Sequence, residues 1–293
     1  MLKYIKRKEL NVDKYDSCIK KSVQSRIYAF SWYLDIVTDN WDVLVLDDYN
    51  AVMPIPWKKK YGIKYVSQPY FCQQLGVFSK ENLPEILQKK MIDNICSRFA
   101  KISLNFNAEN SLNFKNIQPL NNYVLKLDNS YEVLFKSFSK GRKHAVKVGE
   151  KNNLCIKTTT ILELINIKNK FYNYAGFSAE KLSEICKTIL KTNKGFILGV
   201  FKEDVLIGGG VFLMSNNKIT YLFSAFNNEG RKLQAASFLI KSVIKRNENS
   251  NFILDFEGGN LPNTATFFKG FGAKVEEYHQ FINQNFPFNF KLF

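Results

Sequence analysis

The sequence contains no apolar run of membrane-spanning length. Its longest candidate, Val205 to Met214, is interrupted by three glycines, and a spanning helix needs roughly 18 apolar residues. The first eight residues, Met-Leu-Lys-Tyr-Ile-Lys-Arg-Lys, are charged from the third onward with no apolar stretch behind them, so a secretory signal is not expected. Cysteine is scarce: Cys18, Cys72, Cys96, Cys155 and Cys186 are odd in number, widely spaced and never in C-x-x-C. That pattern excludes a disulfide framework and a zinc knuckle and points to a reduced, cytoplasmic chain. The only histidines, His144 and His279, have no ligand spacing, and no Ser-His-Asp arrangement can be assembled, so neither a metal site nor triad hydrolysis is expected. His279 remains a candidate general base or an ordinary strand histidine. With 15 glycines and 7 prolines in 293 residues, collagen-like and linker-rich classes also fall away.

What is present is bulk and positive charge. Hydrophobic residues make up 45% and aromatics 15%, which excludes a disordered chain. At about 150 residues per domain, the length fits two domains or one large one. Forty-two Lys and Arg against 26 Asp and Glu leave a net charge of +16. Such a field favours polyanions: RNA, sugar nucleotides, CoA or an anionic leaflet at the inner membrane face. Trp32, Trp41, Trp57, Tyr70 and Phe71 concentrate aromatics in the first half, mostly as core, with stacking on bases or sugars as a lesser reading.

The second half parses most cleanly. A strand at Leu154–Thr159 precedes helices at Ile161–Tyr174 and Ser178–Lys191. Gly195–Phe201, Val205–Met214 and Lys218–Ala225, separated by polar turns, read as an antiparallel meander. After a polar loop at 227–230 come a helix at Leu233–Arg246, a strand at Phe252–Phe256, a short helix around Thr264–Lys269 and a strand at Lys274–Ile282. The first half repeats this order loosely. A strand near Lys3–Lys8 leads to helical stretches within Asp13–Phe30 and strands at Tyr33–Thr38, Asp42–Leu46 and Ala51–Pro56; a helix at Pro84–Ala100 and strands at Ile102–Phe106 and Tyr123–Leu127 follow.

Between the halves, Tyr131–Lys151 reads as one helix. At about 100° per residue, Lys136, Lys140, Lys143, Lys147 and Lys151 form one stripe, and Phe135, Phe138, Ala145 and Val146 another. The lysines make either a solvated face or an electrostatic rail for a phosphate-rich molecule. Arg142 falls inside the apolar stripe, where a guanidinium needs a carboxylate of the protein, an anionic ligand or an exit to solvent. Asp255 and Glu257 flank Phe256 on the predicted strand, which points both carboxylates to one face. So placed, they can accept a proton from an attacking ammonium or orient it; an ion pair to Lys269 or Arg142, or a helix cap, is the structural alternative. Gly258-Gly259 supplies a turn where a substrate can approach, and Gly208, Gly209 and Gly210 mark a bulge or a close approach within a strand.

The element order of the second half resembles the GNAT acyltransferase fold. Together, Lys140-Gly-Arg142-Lys143-His-Ala-Val-Lys147, Leu254-Asp255-Phe256-Glu257-Gly258-Gly259 and Phe267-Phe268-Lys269-Gly270-Phe271-Gly272 resemble the Fem-like and BioF2-like tandem-GNAT transferases. The resemblance implies an α+β (mixed α/β) fold of two tandem GNAT-like domains, each a mostly antiparallel mixed sheet flanked by helices. The expected division is 1–130, a basic connecting helix at 131–152, and 153–293, whose last strand packs on the first domain.

The resemblance also implies acyl or aminoacyl transfer to an amino group of a phosphate-bearing acceptor, a nucleotide-linked sugar or cell-envelope precursor. Acyl-CoA such as acetyl-CoA, or aminoacyl-tRNA, is the implied donor. Asp255, Glu257 and Lys269 become the candidate catalytic residues, with Lys269 at the family's F-K-x-F-G lysine. Arg142, Lys143, Lys147 and Phe271 are placed at the acceptor. Tyr70, Gln73 and Gln74 join them because Tyr61–Gly76 is similar to the substrate-proximal segment of such proteins. Gly208, Gly209 and Gly210 are expected to face the donor, as are Arg231, Lys232 and Gln234 at a helix start suited to pyrophosphate. In the family's R/Q-x-x-G-x-G/A loop this chain has Arg231-Lys-Leu-Gln234-Ala-Ala236. Glutamine in place of glycine argues against the ordinary CoA pose and for a polynucleotide-borne donor or a changed one. A non-catalytic RNA- or anionic-surface-binding module on the same scaffold is the alternative.

Overall fold

The computed structural model describes residues 1–110, 112–113, 115–173 and 175–284. The chain forms two units, Met1–Leu120 with the chain from Glu277 onward, and Asn121–Glu276. In the first, β1 (Leu2–Lys6), α1 (Val12–Lys21), α2 (Ser31–Val37), β2 (Asn40–Leu46), β3 (Ala51–Lys60), β4 (Ile63–Ser67), β5 (Phe78–Ser79), α3 (Glu85–Cys96) and β6 (Lys101–Phe106) follow in order. β1, β2, β3 and β4 pair antiparallel, and β4 pairs parallel with β6. Pro54 and Pro56 sit in β3 ahead of Trp57–Lys60, the stretch that pairs with β4. Their missing N–H groups therefore interrupt no bond to β4.

Two elements of this unit depart from the sequence pattern. Tyr33–Thr38, expected as a strand for its aromatic and β-branched composition, lies in α2, because Tyr33, Leu34 and Val37 bury one helical face. β4, not expected as a strand from the sequence, is held by its register with β3 and β6.

The second unit begins within β7 (Ile117–Lys126) and continues through α4 (Tyr131–Ser137), α5 (Lys140–Lys151), β8 (Cys155–Thr158), α6 (Ile161–Phe171), α7 (Ala179–Lys191), β9 (Gly195–Lys202), β10 (Val205–Ser215), β11 (Lys218–Phe226), α8 (Asn228–Lys232), α9 (Ala235–Arg246), β12 (Ile253–Asp255) and α10 (Pro262–Lys269), ending in the first residues of β13 (Lys274–Gln284). The meander β9–β10–β11 forms as its composition predicts, with β8 antiparallel on its outer side. β12 pairs parallel with β11 and antiparallel with β7. The core joins Val146 of α5, Leu239, Ile240 and Val243 of α9, and Leu254, Phe256, Phe268 and Phe271. Tyr174, the expected end of the first helix after β8, lies outside the described residues.

Three local corrections bear on the site. The single helix expected over 131–151 is two: Phe138 is extended (φ −64, ψ 140), and Ser139 caps α5 by accepting from the Arg142 N–H at 3.2 Å. The polar loop at 227–230 contains α8, capped by the Asn227 side chain on the Gly230 N–H at 2.8 Å. The following helix starts at Ala235 rather than Leu233, because Gln234 adopts the left-handed conformation (φ 60, ψ 31) and breaks α8 from α9.

Candidate active site

β11 and β12 pair only from Lys218↔Ile253 to Thr220↔Asp255, after which β11 runs on to Phe226 while β12 ends. Two clusters of predicted site residues lie in this region of the second unit.

The first is built around Arg142. Ser139 starts α5 so that Arg142 projects inward with Ala145 and Val146 while the lysines face out. Its guanidinium stacks over the rings of Phe267 (4.0 Å to centroid) and Phe271 (4.7 Å). Nη1 donates to the Ser237 hydroxyl and Nη2 to the Phe267 carbonyl at 3.3 Å. Nε is buried without an acceptor, and among the described residues no carboxylate pairs with this cation. Burial pushes Arg142 down to about 10, below the ordinary guanidinium range.

Ser237 is the third residue of α9, so the cation lies at that helix's first turn. The turn has unpaired N–H groups and the positive end of the helix dipole, and the Gln234 side chain does not cap it. An unpaired cation beside an uncapped helix start is a concentration of positive potential that an anionic ligand would neutralise. Sequence reasoning found Arg142 through its helical phase. Ser237 was missed, since only the fold brings it to a residue 95 positions away.

The second cluster centres on Asp255, which is 1% exposed. Oδ1 accepts from Asn122 Nδ2 at 2.9 Å and from the Glu257 N–H at 3.0 Å; Oδ2 has no hydrogen bond among the described residues. Asn122 also donates to Glu276 at 3.2 Å and accepts from the Gly258 N–H at 3.1 Å, and Lys218 pairs with Glu276 at 3.5 Å. The expectation that Asp255 and Glu257 share a strand face is not met. β12 stops at Asp255, and Glu257 lies beyond it in the left-handed conformation (φ 51). Asp255 is also buried rather than on a solvent-side face. Its partner Asn122 left no local signal, because it is 133 positions away in sequence.

Lys269 ends α10, exposed, with Nζ 5.7 Å from the Tyr123 ring. Phe267 and Phe271 are one turn apart on the face that carries Arg142, and Lys269 is about 200° around the helix from Phe267. α10 therefore directs Arg142 and Lys269 to opposite sides. Gly259 (φ 143) crosses the Tyr123 ring where a Cβ would meet it within 2.4 Å, so this approach requires glycine.

The remaining candidates are placed as follows. Gly208, Gly209 and Gly210 are buried in β10 beside a bulge, and added Cβ atoms would strike Phe226 at 2.2 Å, the Leu198 carbonyl at 2.3 Å and Tyr221 at 2.9 Å respectively. Neighbouring strands occupy that space, so a close approach of protein backbone and rings accounts for the three glycines. Arg231 stacks on Tyr172 at 4.5 Å and donates to the Phe171 carbonyl at 3.3 Å, tying α8 to the end of α6. Lys232 is exposed and Gln234 half-buried. Lys147 is exposed, and Lys143 donates to the Lys136 carbonyl at 2.8 Å.

In the first unit Gln74 is fully buried and accepts from Arg26 at 3.0 and 3.2 Å and from the Ala108 N–H at 3.1 Å, so its amide oxygen is committed within the protein. Gln73 receives the Gln74 amide at 3.0 Å, and Tyr70 is 44% exposed beside Phe71. His279 is half-buried on β13, 3.4 Å from Glu277. Among the described residues, no group of three or more His, Cys, Asp or Glu is arranged to hold a metal, and no helix is long and apolar enough to cross a membrane.

No family model matches the chain, and no curated protein matches its sequence. Solved structures do match. FemX aligns over 94% of this chain and 96% of its own, with a TM-score of 0.67 at 11% identity. A tandem GNAT protein from the clavulanic acid biosynthesis pathway aligns over 99% and 100%, with a TM-score of 0.53 at 10% identity. The C-terminal domain of a chain assigned as a lysylphosphatidylglycerol synthetase of Agrobacterium fabrum aligns over 92% and 91%, with a TM-score of 0.53 at 8% identity. The mixed α/β architecture and these alignments, which span nearly the whole length on both sides, show that the chain has the fold shared by FemX and the tandem GNAT protein.

Proposed function

We propose that the chain is an acyltransferase that forms an amide on an amino group of a phosphate-bearing acceptor, of the kind used in cell-envelope synthesis. The observation that carries this reading is Arg142: a half-buried guanidinium without a carboxylate partner, set at the uncapped start of α9. Phosphate there would meet the guanidinium charge and the first N–H groups of the helix. The names of the structural neighbours, FemX and a lysylphosphatidylglycerol synthetase among them, are compatible with amino-acid transfer in envelope chemistry.

Asp255 is the group proposed to meet the amine. Asn122 and the Glu257 N–H hold Oδ1 and leave Oδ2 to accept from an ammonium. As the amine attacks the acyl carbon, the C–N bond forms and the C–S bond of a thioester, or the C–O bond of an aminoacyl ester, breaks. Asp255 takes the first proton, which frees the amine to attack, and the second nitrogen proton passes through solvent to the departing sulfur or oxygen. Glu257 lies two residues after Asp255, and Lys269 stands over the Tyr123 ring that Gly259 crosses. Both acyl-CoA and aminoacyl-tRNA offer the required acyl carbon as donor.

The test is a thermal-shift and kinetic comparison of wild type with Arg142→Met and Asp255→Asn against acetyl-CoA, CoA, aminoacyl-tRNA and nucleotide-linked amino sugars. A phosphate-bearing ligand at 100 times its Kd is expected to stabilise wild type by about 2.7 kcal/mol and to leave Arg142→Met unshifted. Asp255→Asn should still bind and should lose at least tenfold in kcat, about 1.4 kcal/mol. Unchanged kinetics in both folded variants would remove this region from the chemistry.

A further inference from the structure

The outer face of α5 carries charge that the catalytic reading does not use. Lys140, Lys143, Lys147 and Lys151 fall within an arc of about 80° around the helix axis, opposite the buried Ala145, Val146 and Gly149. Lys136 extends the row from α4, joined by the bond from Lys143 Nζ to its carbonyl at 2.8 Å. Lys245 and Arg246, exposed at the end of α9, add further positive charge beside Tyr131. Acidic residues are sparse here. From Tyr131 to Lys151 the chain has only Glu132 and Glu150, and Glu150 is paired with Lys241 at 2.9 Å. Among the described residues, none of Lys136, Lys140, Lys147 and Lys151 has an ion-pair partner.

We infer that this lysine face docks the protein on an anionic phospholipid leaflet. Along α4 and α5 the face is made of ammonium groups alone, since Arg142 points the other way, and Arg246 at the end of α9 is its one guanidinium; a face so poor in planar forks is ill suited to reading phosphate geometry in folded RNA. Nor does it offer rings for base stacking. Tyr131 is covered by Lys241 and Lys245 at 5.9 and 5.7 Å, and Phe135 lies under Lys143 at 5.9 Å. Point charges in a straight row about 16 Å long suit a planar surface whose anionic lipids can gather beneath them. The guanidinium of Arg142, on the opposite side of the same helix, would then lie about one helix diameter, roughly 10 Å, from the headgroups. The inference stands on the charge pattern and does not require the catalytic reading.

The experiment is sedimentation with vesicles of phosphatidylcholine alone and of phosphatidylcholine with phosphatidylglycerol, at low and physiological salt. Wild type is compared with the triple variant Lys140→Gln/Lys147→Gln/Lys151→Gln and with a charge-matched control, Lys20→Gln/Lys21→Gln/Lys80→Gln, altered at exposed lysines of the first unit. Glutamine keeps helix propensity, and circular dichroism verifies the fold. Wild type and control should bind anionic vesicles only, and less at higher salt. At roughly fivefold per lysine, the α5 variant should lose about 100-fold in partitioning. Equal loss in both variants, absence of vesicle binding, or tRNA binding that depends on the α5 lysines without vesicle binding would each overturn the inference. Transfer activity is not part of the readout, so a failed catalytic reading would leave this result intact.

Discussion

Arg142 is costly to the fold unless something anionic meets it. A half-buried guanidinium with two hydrogen bonds, two aromatic faces and no carboxylate loses hydration that its neighbours only partly replace. Arg142→Met keeps the length and packs sulfur against Phe267 and Phe271. Discounted for the side of Arg142 that meets solvent, the gain is about 1 kcal/mol, a rise of roughly 2–4 °C in Tm. The pH dependence gives a second check. Burial lowers the Arg142 pKa to about 10 in the folded state, below its unfolded value, so between the two values the unfolded chain holds more protons and wild-type stability rises with pH. The gap between Arg142→Met and wild type, followed by urea midpoint, should be constant to about pH 9 and should narrow above pH 10. Gln234 is the neighbouring case. Its left-handed backbone costs a side chain about 1 kcal/mol, part of which glycine returns through unfolded-state entropy. Gln234→Gly is therefore expected to add about 0.5 kcal/mol in urea unfolding and to tighten phosphate binding at α9. At this scale the sequence exposed residues whose meaning is periodic, such as Arg142 on its helix. It concealed Asn122 and Ser237, whose partners are set by tertiary approach.

Elements carry these residues to their places through their ends. Ser139 ends the extended link after α4 and starts α5 three residues before Arg142. Ser139→Ala should cost about 1 kcal/mol of stability and, by loosening the first turn, should also weaken phosphate binding severalfold. Ser178→Ala is the matched control. It removes an equivalent cap from α7, where the hydroxyl accepts from the Lys181 N–H at 3.2 Å, and should cost similar stability with no change in ligand affinity. Equal loss of affinity in both variants would show that the effect is global. The same local rules explain which elements could be read in advance. Ser178 and the turns at Glu203 and Asn216, both at positive φ, punctuate α7 and the meander clearly. α2 was not legible, because Trp32-Tyr33-Leu34-Asp35-Ile36-Val37 has a strand's composition and becomes a helix only when Tyr33 and Leu34 are buried. The Phe138-Ser139 break was hidden by an apolar and lysine period that runs unbroken through both helices.

At the scale of the whole molecule, the division into units follows neither chain order nor composition. The chain passes between units at 120/121 and 276/277, inside β7 and β13, without a proline- or glycine-rich linker to announce either crossing. The boundary expected at 130/131 lies ten residues past the first crossing. The first unit also depends on its late segment. β13 pairs antiparallel with β6 from His279↔Phe106 to Gln284↔Lys101, and it buries Tyr278 and Phe281 to 3% and 4% exposure. A fragment of residues 1–130 lacks this strand. Two large side chains contribute about 1.5–3 kcal/mol each, so the fragment forfeits about 3–6 kcal/mol of a stability that is ordinarily 5–15 kcal/mol. It also exposes β6, where Ile102, Leu104 and Phe106 are fully buried in the intact protein, as an edge open to pairing with other chains. The expected result is a fragment that aggregates or gives a broad, non-cooperative thermal transition. The same fragment extended through a flexible linker by residues 274–284 should be soluble and unfold cooperatively, because the strand that completes β6 is restored. A bare 1–130 fragment that is monomeric and melts cooperatively near the full-length midpoint would show that β13 is dispensable, and the first unit would then end with β7.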